Sequence, residues 1–156
     1  MLEKLDRIDY AIIGALQKNG RLTNLELAEA VGLSPSPCLR RMRKLELANI
    51  ITGYSAQVDG ERYGLPITVF MEIRLQSHTH DIVMGFEKAV TALDNVLDCY
   101  VVSGATDYLL RVVLADLNHY DRFLRREIQV IPGIASIDSN FAIDKIKHTT
   151  VYPRPD

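Results

Sequence analysis

The sequence predicts an α+β chain in which a three-helix unit precedes a four-stranded βαββαβ sandwich. Three observations carry that prediction. Before residue 50, apolar residues recur at helical spacing in three short segments, each opened by a capping residue. Between Asp59 and Pro66 the chain turns polar and holds two glycines and a proline, which marks a boundary. From residue 67 onward, alternating apolar and polar runs exchange with helical runs in the order βαββαβ. The expected organisation is residues 1–58, a linker over 59–66, and residues 67–156.

Asp6 caps a helix running to about Asn19, with Ile8, Ala11, Ile12, Ala15 and Leu16 on one face. Asn19-Gly20 ends it. Thr23-Asn24-Leu25-Glu26 is a capping box, in which the Thr23 and Glu26 side chains satisfy each other's free amides. It opens a short helix with Leu27, Ala28 and Val31 inward and Gly32 as its stop. Ser34 caps a third helix, and Pro35 sits in the first turn, where a missing N–H costs nothing. Two short helices joined by a tight glycine turn form a helix-turn-helix, whose second helix enters the DNA major groove.

In that third helix Cys38, Met42 and Leu45 fall at i, i+4 and i+7 and form the buried stripe. Ser34, Ser36, Pro37, Arg40, Arg41 and Lys44 are left outside, with Leu39 and Arg43 on the flanks. Arg40 and Arg41 suit bidentate guanine readout, and Lys44 suits phosphate as a point charge. The charge balance agrees: residues 1–58 carry a net +2 and the remainder −4, with four of the eight basic residues between Arg40 and Lys44. A basic stripe on a mildly acidic protein implies a confined anionic contact; a solvated helix face is the plainer alternative. After Asn49, Ile50 to Val58 is rich in β-formers and reads as a small wing or linker strand.

In the second region Val69, Met71, Ile73 and Leu75 alternate with polar neighbours, the period of a half-buried strand. Asp81 to Leu93 is helical. Val96 to Val102 and Tyr108 to Ala115 are strands separated by Ser103-Gly104-Ala105-Thr106-Asp107. Asn118 to Val130 is a second helix, and Pro132-Gly133 precedes a final strand from Ile134 to Ile146. This order is a ferredoxin-like, ACT-like sandwich behind a winged helix-turn-helix. It leaves one sheet face open, with Phe70, Val101, Val113, Phe141 and Ile143 expected on or near it, and that face suits a homodimer.

Composition narrows the function classes. With 156 residues, 47% hydrophobic and 24% charged, the chain is an ordinary globular protein, and intrinsic disorder is excluded. Two cysteines are too few for a disulfide scaffold or a cysteine-rich zinc site, and Cys38 and Cys99 read as small buried hydrophobes. No apolar run follows a basic start, and none approaches the roughly 18 residues that cross a bilayer, so a soluble, cytoplasmic protein with no membrane partner is expected. His78-Thr79-His80 has no cysteine or carboxylate cluster beside it, and a solvated loop is the simpler reading than a metal site. No phosphate-binding glycine loop and no Ser/His/Asp grouping is present, so neither catalysis nor a cofactor is expected.

The motifs taken together resemble the Lrp/AsnC family of transcription regulators, across essentially the whole chain. The marks are Leu5-Asp6-Arg7-Ile8-Asp9, Gly20-Arg21-Leu22-Thr23-Asn24, the Val31 to Arg41 opening of the third helix, Val102-Ser103-Gly104-Ala105-Thr106-Asp107-Tyr108-Leu109-Leu110, and Ile131-Pro132-Gly133-Ile134. The resemblance implies a regulator that binds double-stranded DNA in front and senses a small effector, usually an amino acid, behind. It implies homodimers that assemble into tetramers, octamers or larger rings. The implied effector contacts fall on Ser103, Gly104, Thr106, Asp107 and Tyr108, with support from Ile134 and Ser136 across an interface. Glycine at 104 lets backbone amides approach a carboxylate, and Asp107 suits an α-ammonium. Thr106 stands where the family often has a bulkier apolar residue. An architectural protein that compacts DNA without an effector would share every one of these residues.

Overall fold

The computed structural model describes residues 5–155. The first four residues and Asp156, at the outer ends of the two expected domains, lie outside the described residues. The chain forms two compact units: residues up to Gln57 together with those from Ile146 on, and Val58–Lys145. No helix among the described residues is long and apolar enough to cross a membrane.

The first unit is built on α1 (Arg7–Lys18), α2 (Asn24–Val31) and α3 (Pro35–Leu47). Their ends follow the local chemistry. Asp6 accepts from the N–H groups of Ile8 and Asp9, and the Asp9 side chain returns a bond to the Asp6 N–H. Thr23 and Glu26 make the expected reciprocal box. Gly32 closes α2 in the left-handed conformation at φ 70°. Ser34 occupies the N-cap of α3, but its hydroxyl makes no capping bond. The three helices bury Ile12, Leu16, Leu27, Ala28, Cys38 and Leu45, with Met42 and Val31 half-buried beside them.

Residues 50–58 do not form the expected strand, because no neighbouring strand in the chain pairs with them. The segment is held instead by side chains: the Tyr54 hydroxyl donates to Glu46 of α3 at 2.9 Å. The tail also belongs to this unit. Gln17 of α1 accepts from the Tyr152 N–H at 2.6 Å, and the Arg154 guanidinium stands 4.9 Å from the centre of the Tyr10 ring.

The second unit starts with a single helical turn, α4 (Gly60–Tyr63), inside the expected linker. It continues as β1 (Ile67–Leu75), α5 (His80–Thr91), β2 (Val96–Val101), β3 (Tyr108–Leu114), α6 (Leu117–Phe123) and β4 (Ile134–Phe141). The α6 helix runs on into a π-helical turn over Leu124–Ile128. The antiparallel sheet has the order β2-β3-β1-β4. Period-two alternation buries Val69, Met71, Ile73 and Leu75 of β1 and Tyr108, Leu110, Val112 and Leu114 of β3 under α5 and α6, around Phe86, Val90, Phe123 and Ile128.

Register corrects three expectations here. The last strand ends at Phe141 rather than Ile146, because β1 begins at Ile67 and offers β4 no backbone beyond Thr68. Phe141 pairs with Val69 and therefore faces the helices, where its ring meets Tyr120 edge-on. Val101 lies opposite Tyr108, also on the helix side, and Ile143 lies beyond the sheet. Of the five residues expected on the open face, Phe70 and Val113 are there. Cys99 is exposed rather than buried, because β2 is an edge strand.

Candidate nucleic-acid interface and effector site

The outward face of α3 is formed by Ser36, Arg40, Arg43, Lys44 and Leu47, which line one shallow groove. Its rear is anchored by fully buried Cys38 and nearly fully buried Leu45. The start of α3 is tied to α2 by Asn24, whose side-chain amide donates to the Pro35 carbonyl at 2.9 Å. Ser34 and Pro35 are exposed at that end, and Pro37 is half-buried. Arg40 and Arg43 make no hydrogen bond or ion pair with any described residue, so both guanidinium groups are presented outward.

Arg41 is placed differently from its sequence expectation. Its Nη1 lies 2.7 Å from Asp6 and 2.8 Å from Asp9, at the N-terminus of α1. The Asp9 N–H and the Arg41 guanidinium together hold the Asp6 carboxyl below the usual carboxylate range. Arg41 therefore joins α3 to the capping box of α1. Arg43, expected on a flank, takes the outward position; the i, i+4 and i+7 spacing of Ser36, Arg40 and Arg43 is the signal that finds it.

At the other site, the ends of three strands converge within one chain. Ile73 pairs with Tyr108, and Arg74 with Ser136, so the 103–107 loop and the start of β4 share one end of the sheet. Gly104 has φ 128°, a backbone conformation that favours glycine. Ser103 and Gly104 are exposed, and Thr106 is half-buried. The loop is fastened to β1: the Asp107 N–H donates to Ile73 at 2.9 Å, and the Arg74 Nε–H donates to the Ala105 carbonyl at 3.0 Å. Gln76 bridges to the start of β4, its N–H donating to the Gly133 carbonyl and its side-chain amide to the Ile134 carbonyl.

The Asp107 carboxylate is the electrostatic centre of this end. Oδ2 accepts the Leu75 N–H at 2.7 Å, and Oδ1 lies 2.7 Å from His78 Nε2. Those two bonds, the backbone one first, hold its carboxyl below the ordinary carboxylate range. Tyr108 does not belong to the exposed part of the loop. It is buried against Phe86, with ring centres 4.5 Å apart, and its hydroxyl donates to Glu87 at 2.9 Å. Burial and the Glu87 carboxylate push its phenol up to about 12. The structure thus collects Ser103, Gly104, Thr106, Asp107, Ile134 and Ser136 at one end and adds Arg74 and His78, which sequence reasoning did not assign there.

Two family models account for most of the chain. A winged helix-turn-helix DNA-binding model matches residues 5–52, and an Lrp/AsnC ligand-binding-domain model matches residues 68–152. The Bkd operon transcriptional regulator of Pseudomonas aeruginosa is 41% identical over 152 residues, covering 97% of this chain and 99% of that protein. The DNA-binding transcriptional activator DecR of Escherichia coli is 38% identical over 149 residues, covering 96% and 98%. Among solved structures, a transcriptional regulator from Neisseria meningitidis in complex with L-Met superposes with a TM-score of 0.93 at 39% identity. That match covers 96% of this chain and 97% of the other.

Proposed function

The chain belongs to the Lrp/AsnC family, and on that premise we propose how a DNA-binding transcriptional regulator with a ligand-binding domain divides its work among these residues. The α3 helix lies in the major groove of double-stranded DNA. Arg40 and Arg43 read guanines, Ser36 and Lys44 contact bases or phosphates, and Ser34 and Pro37 bring the start of the helix close to the backbone. Arg41 holds α3 against α1 and sets the angle at which that face is offered. Two such helices in a homodimer reach half-sites about 34–36 Å apart on one side of the duplex.

The effector is an amino acid bound at the end of the sheet. Its carboxylate is received by backbone N–H groups around Ser103 and Gly104, and its ammonium by Asp107 Oδ1. Asp107 Oδ2 is held by the Leu75 N–H, so the ammonium takes Oδ1 in exchange for His78. Thr106 bounds the side-chain pocket, and Ile134 and Ser136 complete it where two dimers meet. The dimer forms on the open sheet face that carries Phe70 and Val113, and dimers assemble into tetramers, octamers or a larger ring in the cytoplasm. Effector binding shifts that assembly, and with it the spacing of the DNA-binding heads, to the extent that its affinity differs between states. The amino acid is bound and released unchanged.

The observation that supports this reading most directly is the L-Met complex of the Neisseria regulator, which matches this chain over both units. The test is selection of bound sequences from a random duplex pool, with and without L-methionine and the other amino acids. The expected result is one two-part consensus whose occupancy responds to a chemical group of amino acids. Enrichment of no sequence would leave an architectural DNA-wrapping protein. A consensus indifferent to all twenty amino acids would remove the effector from the scheme.

A further inference from the structure

We propose that His78 is a pH-dependent latch on the effector site, its imidazole covering the Asp107 oxygen that an amino acid's ammonium must take. This inference rests on the reading of Asp107 as the ammonium acceptor. The two partners are unequal in how firmly they are held. Asp107 is fixed to the neighbouring strands: its N–H donates to Ile73, its carbonyl accepts from Val102, and Oδ2 accepts from Leu75. Only Oδ1 is left for a reversible partner. His78 sits in the short connection between β1 and α5, with its side chain 71% exposed against 22% for Asp107. Among the described residues Asp107 is its hydrogen-bond partner, at 2.7 Å. A fixed acceptor facing an exposed donor on a loop is a contact that opens from the donor's side.

The ionic surroundings are simple enough to give the sign. The charged groups bearing on Asp107 are His78 and Arg74, and Tyr108 beneath it stays neutral. Arg74 keeps its charge throughout and is engaged with the Ala105 carbonyl. Histidine is the side chain whose ordinary charge change falls in the physiological range. With the imidazole protonated, an imidazolium–carboxylate pair closes the latch; with it neutral, the bond is a weaker one. The effector's ammonium remains charged across the same interval. Displacing the latch therefore costs more at low pH, and binding expels a proton over the interval in which the latched imidazole is charged and the released one neutral.

The experiment is isothermal titration of the full chain with L-methionine between pH 5.5 and 8, in buffers of differing ionisation enthalpy. The wild type is expected to bind more tightly as pH rises, by at most about tenfold per pH unit, the limit for one proton released per ligand bound. His78→Ala is expected to bind several-fold more tightly than wild type below pH 6.5, with a flat pH profile and no proton release. His78→Gln, which keeps a donor without a titrating charge, is expected to share the flat profile. Weaker binding by His78→Ala, or an unchanged pH slope, overturns the latch. Asp107→Ala binding like wild type instead overturns the ammonium site itself, so the two failures are distinguishable. If L-methionine gives no heat, the same variants are compared by thermal shift against all twenty amino acids at pH 6 and pH 8. Stabilisation by none of them, in wild type and His78→Ala alike, overturns both.

Discussion

The outward face of α3 and the loop between β2 and β3 are both centred on charged side chains, and they treat charge in opposite ways. On α3 the outward cations Arg40 and Arg43 have no ionic partner among the described residues, while Arg41 is consumed in fastening the helix to Asp6 and Asp9. In the loop no such division exists: Asp107 anchors the backbone and also faces outward, and Arg74 and His78 are engaged with the residues they surround. On the proposed function, the contrast follows the ligand each region would take. A duplex is a dense polyanion, and unpaired cations on a rigid helix meet it without a competitor. A single amino acid carries one charge of each sign, and a site that already has internal partners admits it only by exchange.

The largest expected effect tests the first half of that comparison. Each direct base contact is worth about 1–3 kcal/mol, so Arg40→Ala combined with Arg43→Ala is expected to cost at least about 30-fold in operator affinity. Fluorescence anisotropy against the selected duplex measures it, at fixed salt. A double variant that binds as well as wild type would mean that the outward cations are a solvated face.

The next effect falls on the scaffold of the loop. Gly133 has φ 88°, and a Cβ added there would lie 2.6 Å from Ile82 Cγ2. Gly133→Ala thus combines backbone strain with overpacking and is expected to cost about 1–3 kcal/mol of stability in thermal or urea denaturation. Since Gly133 also accepts the Gln76 N–H, effector response is expected to weaken with stability. DNA contact by α3 in the surviving folded fraction is not.

Arg41 separates the two regions' logic most directly. Arg41→Ala is expected to leave operator affinity close to wild type while lowering the melting temperature at neutral pH. The sign of its pH dependence follows from Asp6, whose folded pKa lies below the ordinary value. The stabilisation is full above the unfolded carboxylate range and is lost as pH falls through the depressed folded value. Melting curves of wild type and variant should therefore converge at acid pH. A variant that folds normally and loses its operator would return Arg41 to the set of reading residues.

How much of this was legible in the sequence depends on the range of the interaction. The N-cap at Asp6, the capping box at Thr23, the glycine stop at Gly32 and the alternation of β1 are local patterns, and the structure reproduces them. The pairing of Arg41 is invisible to helical spacing because its partners lie 32 and 35 residues away, at the start of α1. The same holds for His78, read from the sequence as part of a solvated loop, whose partner Asp107 is 29 residues distant. The face of Phe141 depends on strand register, which alternation within one strand leaves open by one residue. The outward face of α3 is thus read more completely than the loop, since a helix face repeats along the chain and a convergence of strand ends does not.

Tyr108 is the case where a local pattern and a motif disagree, and it gives the smallest expected effect. As part of the loop motif it stands beside Asp107. As the first residue of β3 it alternates in phase with Leu110, Val112 and Leu114, and that phase turns it inward. The alternation prevails because the ring fills space against Phe86 and the hydroxyl finds Glu87. Tyr108→Phe keeps the ring and removes one hydrogen bond, so a loss of about 0.5–1.5 kcal/mol is expected, with effector affinity unchanged. Because the folded phenol titrates at about 12, above its ordinary value of 10.0, the wild type's advantage is present at neutral pH and disappears as pH rises through that interval. Should Tyr108→Phe instead abolish the effector response at unchanged stability, the hydroxyl must leave Glu87 when ligand binds. The division between a buried Tyr108 and a half-buried Asp107 would then hold only for the ligand-free chain.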